Sequence, residues 1–308
     1  MIESVSLIGM GALGILYGDI LTEALGAQHV SFLADRNRVE KYNAAGVFCN
    51  GRKCSFTVKD SAEKSEPPDL LIFAVKGTAL DSAIDTARGH VGKNTIIISL
   101  LNGISSEEII AGAFGKEHLI YCIAQGMDAL RTGNSLEYEH KGELRIGLPE
   151  SLNANRPLLD DVAALFDRAA LPYKIEADII HRMWSKWMLN VGVNQVVMVT
   201  QGTFATVQKN GQEREMMKAA MREVVALSEK EKTGLTEKDL AEYVALIDTL
   251  NPAGMPSMRQ DGLAGRKTEV ELFAGTVIRR AQHFNLPVPV NQQLYDTVKR
   301  METGLHSA

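Results

Sequence analysis

The sequence predicts an α/β protein, in which a doubly wound parallel sheet is followed by an all-helical C-terminal domain. Three observations support this. A glycine-rich loop follows the first apolar segment, continuous apolar runs alternate with helical patterns through the first half, and helical periodicity fills the second half. Continuous apolar runs are typical of parallel strands that helices cover on both faces.

The predicted elements of the first half alternate between strand and helix. Strands are predicted at 4–9, 29–34, 53–58, 69–75, 94–101, 118–124, 135–140 and 144–147. Helices are predicted at 12–26, 38–45 and 79–88. This rhythm predicts that parallel strands are joined by helices lying on the two faces of one sheet.

The second half is predicted to be helical. Helices are expected at 156–170, 178–199, 207–232, 236–250, 268–284 and 291–302. The segment 251–267 is rich in Gly and Pro and is predicted to be a loop. We place the domain boundary so that residues 1–174 form the first domain and residues 175–308 the second.

Composition excludes several classes of protein. The chain has 308 residues, 45% hydrophobic and 23% charged, with a net charge of −5, which argues against nucleic-acid binding. We find no apolar run of the roughly 20 residues that cross a bilayer, so no membrane role is expected. The three cysteines form no CxxC pair, so we expect reduced thiols, no metal site and a cytoplasmic location.

The glycine loop "LIGMGALG" lies between the first predicted strand and the first predicted helix. The GxGxxG segment consists of Gly9, Met10, Gly11, Ala12, Leu13 and Gly14. In such a loop Gly9 permits a tight turn, Gly11 lets the backbone approach a pyrophosphate, and Gly14 lets helix and strand pack closely. The segment therefore predicts a dinucleotide site, and the first domain is predicted to be of Rossmann type.

The residues after the second predicted strand, "ADRNR", give a divided indication of the cofactor. Asp35 can bond an adenosine ribose and would repel a 2′-phosphate, which favours NAD. Arg36 or Arg38 could instead bind that phosphate and favour NADP, although Arg38 also fits an exposed helix face. Lys76 and Asn102, each at the end of a buried strand, are further candidates for cofactor contacts.

The segment "WSKWMLNVGVNQVV" reads as a buried helix that carries an unexpected polar stripe. Lys186, Asn190 and Asn194 are four residues apart, so each step drifts only about 40° around the helix and all three share one face. A buried polar group without a partner costs about 1–3 kcal/mol. The stripe therefore indicates a ligand site, or else a lysine that reaches past the helix to water.

At this point the chain resembles the ketopantoate reductase (2-dehydropantoate 2-reductase) family. The resemblance rests on GxGxxG, "AVK", "LLNG", "WSKWMLNVGVN", "PSM" and "KTEVELFAGTVIRRAQHFNLPVP", in that order. It implies a Rossmann domain followed by a helical substrate and dimerisation domain, with a homodimer as the expected assembly. It also implies NADPH-dependent reduction of 2-dehydropantoate to pantoate, a step of pantothenate and coenzyme A synthesis.

The resemblance also implies roles for individual residues. The family's catalytic lysine matches Lys186, and its acidic residue near the substrate matches Glu269. Its other substrate-binding residues match Asn102, Asn190, Asn194 and Ser257. Its contacts to cofactor match the glycine loop, Lys76, Asn102 and Ala129. Glu269 has a second interpretation, as a first-turn acid of a helix that Thr268 caps.

Departures from the family pattern leave alternatives open. Asp35 stands where the family has its 2′-phosphate arginine, with Arg36 one place later, so NADH is an alternative to NADPH. The segment after Asn194 lacks most of the expected polar residues, so another branched 2-keto acid is an alternative substrate. A 3-hydroxy acid dehydrogenase and a dinucleotide-sensing binding module are the remaining alternatives.

Overall fold

The computed structural model describes residues 1–305, which divide into two compact units. The first comprises Met1–Ile179, and the second begins at Ile180. Strand Tyr173–Ile175 pairs with strand Lys141–Gly147 of the first unit. Because of this pairing, the first unit extends beyond residue 174. The domain boundary predicted from the sequence, between residues 174 and 175, stays a prediction.

The first unit is built on a five-stranded parallel sheet. Its strands are β1 (Val5–Ile8), β2 (Val30–Ala34), β5 (Thr57–Asp60), β6 (Leu70–Phe73) and β7 (Ile96–Ser99), in the spatial order β5-β2-β1-β6-β7. From β1, the chain builds the sheet first toward β5 and then returns to add β6 and β7. Strand order therefore reverses between β1 and β6, and open α/β sheets bind ligands at the carboxyl ends of strands beside such a reversal.

Two smaller sheets complete the first unit. One contains β3 (Phe48–Cys49), β4 (Arg52–Lys53), β9 (Leu130–Thr132) and β10 (Ser135–Glu137). The other contains β8 (Tyr121–Met127), β11 (Lys141–Gly147) and β12 (Tyr173–Ile175). A parallel bridge between Ile97 and Leu119 links the five-stranded sheet to the start of β8.

Helices pack on both faces of the five-stranded sheet, as the sequence predicts. The helices of the first unit are α1 (Ala12–Leu25), α2 (Arg36–Ala45), α3 (Leu80–Ala87), α4 (Ser106–Phe114) and α5 (Arg156–Arg168). One apolar cluster includes Leu7, Leu16 and Phe32, and another includes Leu71, Phe73 and Ile110. Since neighbouring residues of one strand enter different clusters, the sheet is buried on both faces.

The second unit is all-helical over its described residues. Its helices are α6 (Ile179–Val199, which starts at the division), α7 (Phe204–Gln208), α8 (Gln212–Glu231), α9 (Glu237–Thr249), α10 (Ser257–Leu263), α11 (Thr276–His283) and α12 (Pro289–Leu305). A π-helical turn, Glu271–Gly275, precedes α11. Among the described residues, none of the helices combines the length and apolar character that crossing a bilayer requires.

Several predicted elements are wrong in extent. The strand predicted at 53–58 is interrupted, and only its ends belong to β4 and β5. The helix predicted at 207–232 is two helices, because Lys209 is extended and Gly211 lies between them. The loop predicted at 251–267 contains α10, and the helix predicted at 268–284 begins with the π-helical turn. Helix α4 was not predicted.

Candidate active site

The glycine loop, Gly9–Gly14, runs from the end of β1 into the first turn of α1, at the reversal of strand order. Gly9 has φ +104°, and a Cβ there would lie 2.6 Å from the carbonyl oxygen of Ala74. A Cβ on Gly14 would lie 2.0 Å from the carbonyl oxygen of Gly9. These two positions therefore require glycine for the turn and for the packing of α1 against the loop.

Gly11 has a different reason to be glycine. A Cβ there would meet only the Ala74 carbonyl oxygen, at an ordinary 3.6 Å. Gly11 caps α1 without a side-chain hydrogen bond, and the first turn carries no acidic residue. A helix N-terminus with this character favours an anion, and a bare glycine lets it come close. The loop thus fits a pyrophosphate.

A pocket opens beside the loop at the carboxyl ends of β1, β2 and β6. It is lined by Ile8, Gly9, Met10, Phe32, Leu33, Ala34, Arg38, Tyr42, Val75, Ala79, Ser82, Ala83 and Thr86. Most of the lining residues are apolar, but polar and apolar atoms contribute about equally to the exposed lining, and the residues with polar side chains are Arg38, Tyr42, Ser82 and Thr86. This composition suits an adenosine, whose base is apolar on its faces and whose ribose carries hydroxyls.

Asp35, Arg36 and Arg38 take different positions around this pocket. The Asp35 carboxylate caps α2 by accepting the Arg38 N–H (2.9 Å), and it also lies 3.3 Å from Arg38 Nε. Arg36 is directed toward Glu40, with its side chain 82% exposed. Arg38 is the residue of the three that lines the pocket. The sequence alone did not decide whether Arg38 binds cofactor, because its position also suits an exposed helix face.

Lys76, Asn102 and Ala129 lie on three separate connections of the first unit. Lys76 is exposed and precedes the helical turn Gly77–Ala79 after β6. Asn102 is half-buried and follows β7, next to Gly103, whose φ is +98°. Ala129 is half-buried in the connection between β8 and β9. Their roles in binding cofactor stay predictions.

A chain of buried hydroxyl groups anchors the segment before Asn102. Leu101 N–H donates to Ser99 Oγ, Ser99 Oγ donates to Ser106 Oγ (2.9 Å), and Ser106 Oγ donates to Glu107 Oε2 (2.8 Å). Glu107 is 1% exposed. Burial raises the pKa of the Glu107 carboxyl to about 7, against the lowering effect of the Ser106 hydrogen bond.

This buried carboxyl predicts a specific pH dependence of stability. Between about pH 4.5 and 7 the unfolded chain releases the Glu107 proton while the folded protein keeps it, so stability falls as pH rises. Glu107→Gln should abolish this contribution. The melting temperature of the variant, relative to that of wild type, should therefore rise from pH 4.5 to pH 8. Thermal unfolding over that range measures the effect, with the exposed neighbour variant Glu108→Gln as control. A constant difference between Glu107→Gln and wild type would contradict the prediction.

In the second unit, the polar stripe of α6 consists of Lys186, Asn190 and Asn194, as predicted. Lys186 and Asn190 are half-buried, and Asn194 is 3% exposed. Trp184 and Trp187 flank the lysine and pack edge to face, with ring centroids 5.2 Å apart. The stripe therefore lies among apolar side chains, where polar contacts gain strength from the low local dielectric.

Asn194 organises the stripe. Its Oδ1 accepts from Ser257 Oγ (3.3 Å) and from Met258 N–H (3.1 Å), and its Nδ2 donates to Asn190 Oδ1 (3.1 Å). Because the Asn190 oxygen accepts this bond, the group that Asn190 offers to a ligand is its Nδ2 donor. With the Lys186 ammonium, the stripe presents hydrogen-bond donors, which suit the oxygens of an acid substrate.

Glu269 lies in a buried segment just before the π-helical turn, with 7% of its surface exposed. Its neighbour Thr268 accepts the Val270 N–H with its hydroxyl, which is a capping contact. The Glu302 carboxylate accepts both the Thr268 N–H (2.8 Å) and the Thr268 hydroxyl (2.7 Å). Glu302 thus anchors the segment, a role hidden in the sequence because 34 residues separate the partners.

Glu271, two residues after Glu269, is paired within the second unit. Its carboxylate accepts from Tyr295 Oη (2.7 Å) and lies near Lys299 Nζ (3.3 Å) and Arg279 Nη1 (3.2 Å). Partial burial would raise the pKa of this carboxyl, but these hydrogen bonds and charges hold the pKa below its ordinary value. Glu271 is therefore a structural anion of the second unit.

Comparison with known proteins places the chain among related sequences. The 2-dehydropantoate 2-reductase of Pyrococcus horikoshii is 27% identical over 305 residues, covering 96% of this chain and 97% of that protein. A PanE/ApbA family ketopantoate reductase structure from Ralstonia eutropha matches with a TM-score of 0.84 at 24% identity, over 98% of this chain and 99% of the other. The structure of D-mandelate dehydrogenase with NADH and anilino(oxo)acetate matches with a TM-score of 0.86 at 20% identity, over 98% of this chain and 99% of the other.

These structural likenesses confirm the predicted fold class, a Rossmann-type domain followed by a helical domain. The family model described as Ketopantoate reductase PanE/ApbA matches residues 5–151, and its C-terminal counterpart matches residues 178–302. The two matches together cover most of the sequence and include the glycine loop and the polar stripe. The chain belongs to the ketopantoate reductase family.

Proposed function

We propose that the protein reduces 2-dehydropantoate to pantoate, with NADPH as the hydride donor. The polar stripe of α6 is the observation that carries the proposal, because it presents a lysine and an oriented amide from an otherwise apolar helix. Family membership and the name of the Pyrococcus relative support this substrate. The glycine loop and the adjacent pocket support the dinucleotide.

In the proposed reaction the second unit handles the keto acid. When bound, the nicotinamide supplies a hydride to the C2 carbonyl carbon. The Lys186 ammonium polarises the carbonyl oxygen and then gives it a proton as the alkoxide develops, so that the ketone becomes a secondary alcohol. Solvent restores the proton to Lys186.

The amides and the carboxylate have positioning and binding roles in this proposal. Asn190 donates to the substrate's carboxylate or hydroxyl oxygens, while Asn194 and Ser257 hold Asn190 in the required orientation. Glu269 accepts a hydroxyl of the substrate. Such prior orientation lowers the barrier because the entropy of alignment is lost during folding instead of during reaction.

Arg38 supports NADPH over NADH. Arg38 lines the pocket beside the glycine loop, where an adenosine ribose would be held. Asp35, which would favour NAD, already accepts the Arg38 N–H and pairs with the Arg38 side chain. A guanidinium there would bind the 2′-phosphate with charge-assisted hydrogen bonds.

The test of the proposed function is the initial rate of NADPH and of NADH oxidation with 2-dehydropantoate. We expect turnover with NADPH, with a higher KM when NADH replaces it. A parallel panel of branched and aromatic 2-keto acids identifies a different substrate if one is preferred. Tight NADPH binding without turnover of any keto acid would contradict the proposal and favour the dinucleotide-sensing alternative. The predicted homodimer is tested on the same preparation by light scattering.

A pair of substitutions tests the cofactor assignment. Arg38→Ala should raise the KM for NADPH by roughly 10-fold or more, because a hydrogen bond to a charged group contributes about 1.5–3 kcal/mol. The KM for NADH should change little. Arg36→Ala is the matched control, since Arg36 pairs with Glu40 away from the pocket. A selective loss of NADPH affinity in Arg36→Ala, and not in Arg38→Ala, would reverse the assignment.

A further inference from the structure

The π-helical turn Glu271–Gly275 has a definite hydrogen-bond cause. Gly275 N–H donates to the carbonyl oxygen of Val270, five residues back, at 3.0 Å. In an α-helix that oxygen would accept from Ala274 N–H. Here Ala274 N–H instead donates to Gln195 Oε1, at 3.2 Å. A side chain of α6 thus takes the backbone donor that the π-helical turn releases.

A second side chain of α6 bonds the same turn. Trp187 Nε1 donates to the carbonyl oxygen of Leu272 at 2.8 Å. Trp187 and Gln195 are eight residues apart and so lie on one stripe of α6, next to the stripe of Lys186, Asn190 and Asn194. The helix that carries the catalytic lysine therefore also holds the turn at two points.

The rest of Gln195 is held by fixed partners. Its Nε2 donates to the Val191 carbonyl oxygen (2.7 Å) and to Asn291 Oδ1 (3.2 Å), and the residue is fully buried. Asn291 Nδ2 donates to Glu223 Oε2 (2.7 Å), which sets which end of the Asn291 amide faces Gln195. These contacts determine that the oxygen of Gln195, and not its nitrogen, faces the turn.

The turn is hydrogen-bonded directly to the backbone of Glu269, two residues before it. Both Leu272 N–H and Phe273 N–H donate to the carbonyl oxygen of Glu269, at 2.9 and 3.3 Å. A change in the turn therefore changes the backbone at Glu269. If the turn relaxed to an α-helix, Ala274 N–H would return to Val270 and leave a buried oxygen on Gln195 without a partner, which is unfavourable.

From this geometry we propose that Gln195 is a positioning residue: by holding the π-helical turn, it sets the orientation of the Glu269 carboxylate relative to Lys186. The inference rests on the proposed function for its catalytic consequence. Its structural part stands on the hydrogen bonds alone. π-Helical turns occur often at functional sites, where an extra residue redirects a side chain.

The test uses Gln195→Met, which keeps the side-chain length and removes its hydrogen bonds. Gln208→Met is the matched control, because Gln208 also donates its amide to backbone carbonyls of the second unit, those of Ile247 and Leu250. Hydrogen–deuterium exchange of residues 268–276 measures the turn. Steady-state kinetics and the pH profile of kcat/KM measure the effect of the turn on catalysis. A titration with NADPH gives the concentration of folded sites, by which kcat is normalised.

In Gln195→Met we expect faster exchange at 268–276, and a kcat per folded site lower by roughly 10- to 100-fold, as small misplacements of catalytic groups cause. The pH profile should change, while NADPH affinity stays the same. Gln208→Met should match wild type in all of these. Unchanged exchange in Gln195→Met overturns the inference, and so does faster exchange with wild-type kcat, KM and pH profile. If wild type reduces no keto acid, the proposed function fails, whereas exchange still decides whether Gln195 holds the turn.

Discussion

Lys186→Ala should lower kcat for keto-acid reduction by roughly 10²- to 10⁴-fold, the usual contribution of a positioned general acid. In the proposed reaction this variant loses the group that would polarise the ketone oxygen and protonate the alkoxide. NADPH affinity should remain that of wild type, since the glycine loop and its pocket are built from residues of the first unit. Stopped-flow or steady-state oxidation of NADPH, together with a fluorescence titration of NADPH, separates the two effects.

The matched control for this experiment is Lys238→Ala. Lys238 lies on α9 of the same unit, with a side chain 85% exposed and 3.8 Å from Glu242. An exposed pair of this kind contributes little to stability. This variant should keep wild-type kinetics. If Lys186→Ala also reduced keto acids at the wild-type rate, Lys186 would not be the proton donor.

Gly14→Ala should abolish measurable dinucleotide binding. A Cβ there would lie 2.0 Å from the Gly9 carbonyl oxygen, a backbone atom that can move only if the loop or α1 moves. Either displacement alters the amides that would hold the pyrophosphate. Isothermal titration with NADPH measures the loss, and circular dichroism reports whether the variant is still folded.

Gly112→Ala is the matched control, because it makes the same chemical change in a helix of the same unit. A Cβ at Gly112 meets open space. Since alanine is a better helix former than glycine by about 0.8–1 kcal/mol, this variant should melt slightly above wild type and bind NADPH normally. Wild-type NADPH affinity in Gly14→Ala would show that the loop does not require the observed close approach.

The sequence by itself determined the alternation of strands and helices in the first half, the helical character of the second half and the location of the principal polar groups. The GxGxxG spacing after an apolar run identified the loop of residues 9–14, because the steric demands at Gly9 and Gly14 are met only by glycine. The four-residue spacing of Lys186, Asn190 and Asn194 placed them on one face of a helix. These inferences succeed because local geometry, 3.6 residues per helical turn, links sequence spacing directly to direction in space.

Only the tertiary structure decided which partner each polar side chain takes. Arg38 could be assigned to the pocket, and Arg36 to Glu40, only once the fold had brought the residues of α2 to the pocket beside the glycine loop. The contact of Glu302 with Thr268 spans 34 residues, and that of Gln195 with Ala274 spans 79. Hydrogen-bond partners so far apart leave no periodic trace in the sequence.

The π-helical turn illustrates the same limit. Residues 268–284 have helical periodicity, and local propensity alone favours a continuous α-helix there. A buried glutamine on another helix competes for one backbone amide and changes the turn around it. The orientation of Glu269 thus depends on a hydrogen bond between distant segments, which the sequence cannot reveal because it depends on how the helices pack.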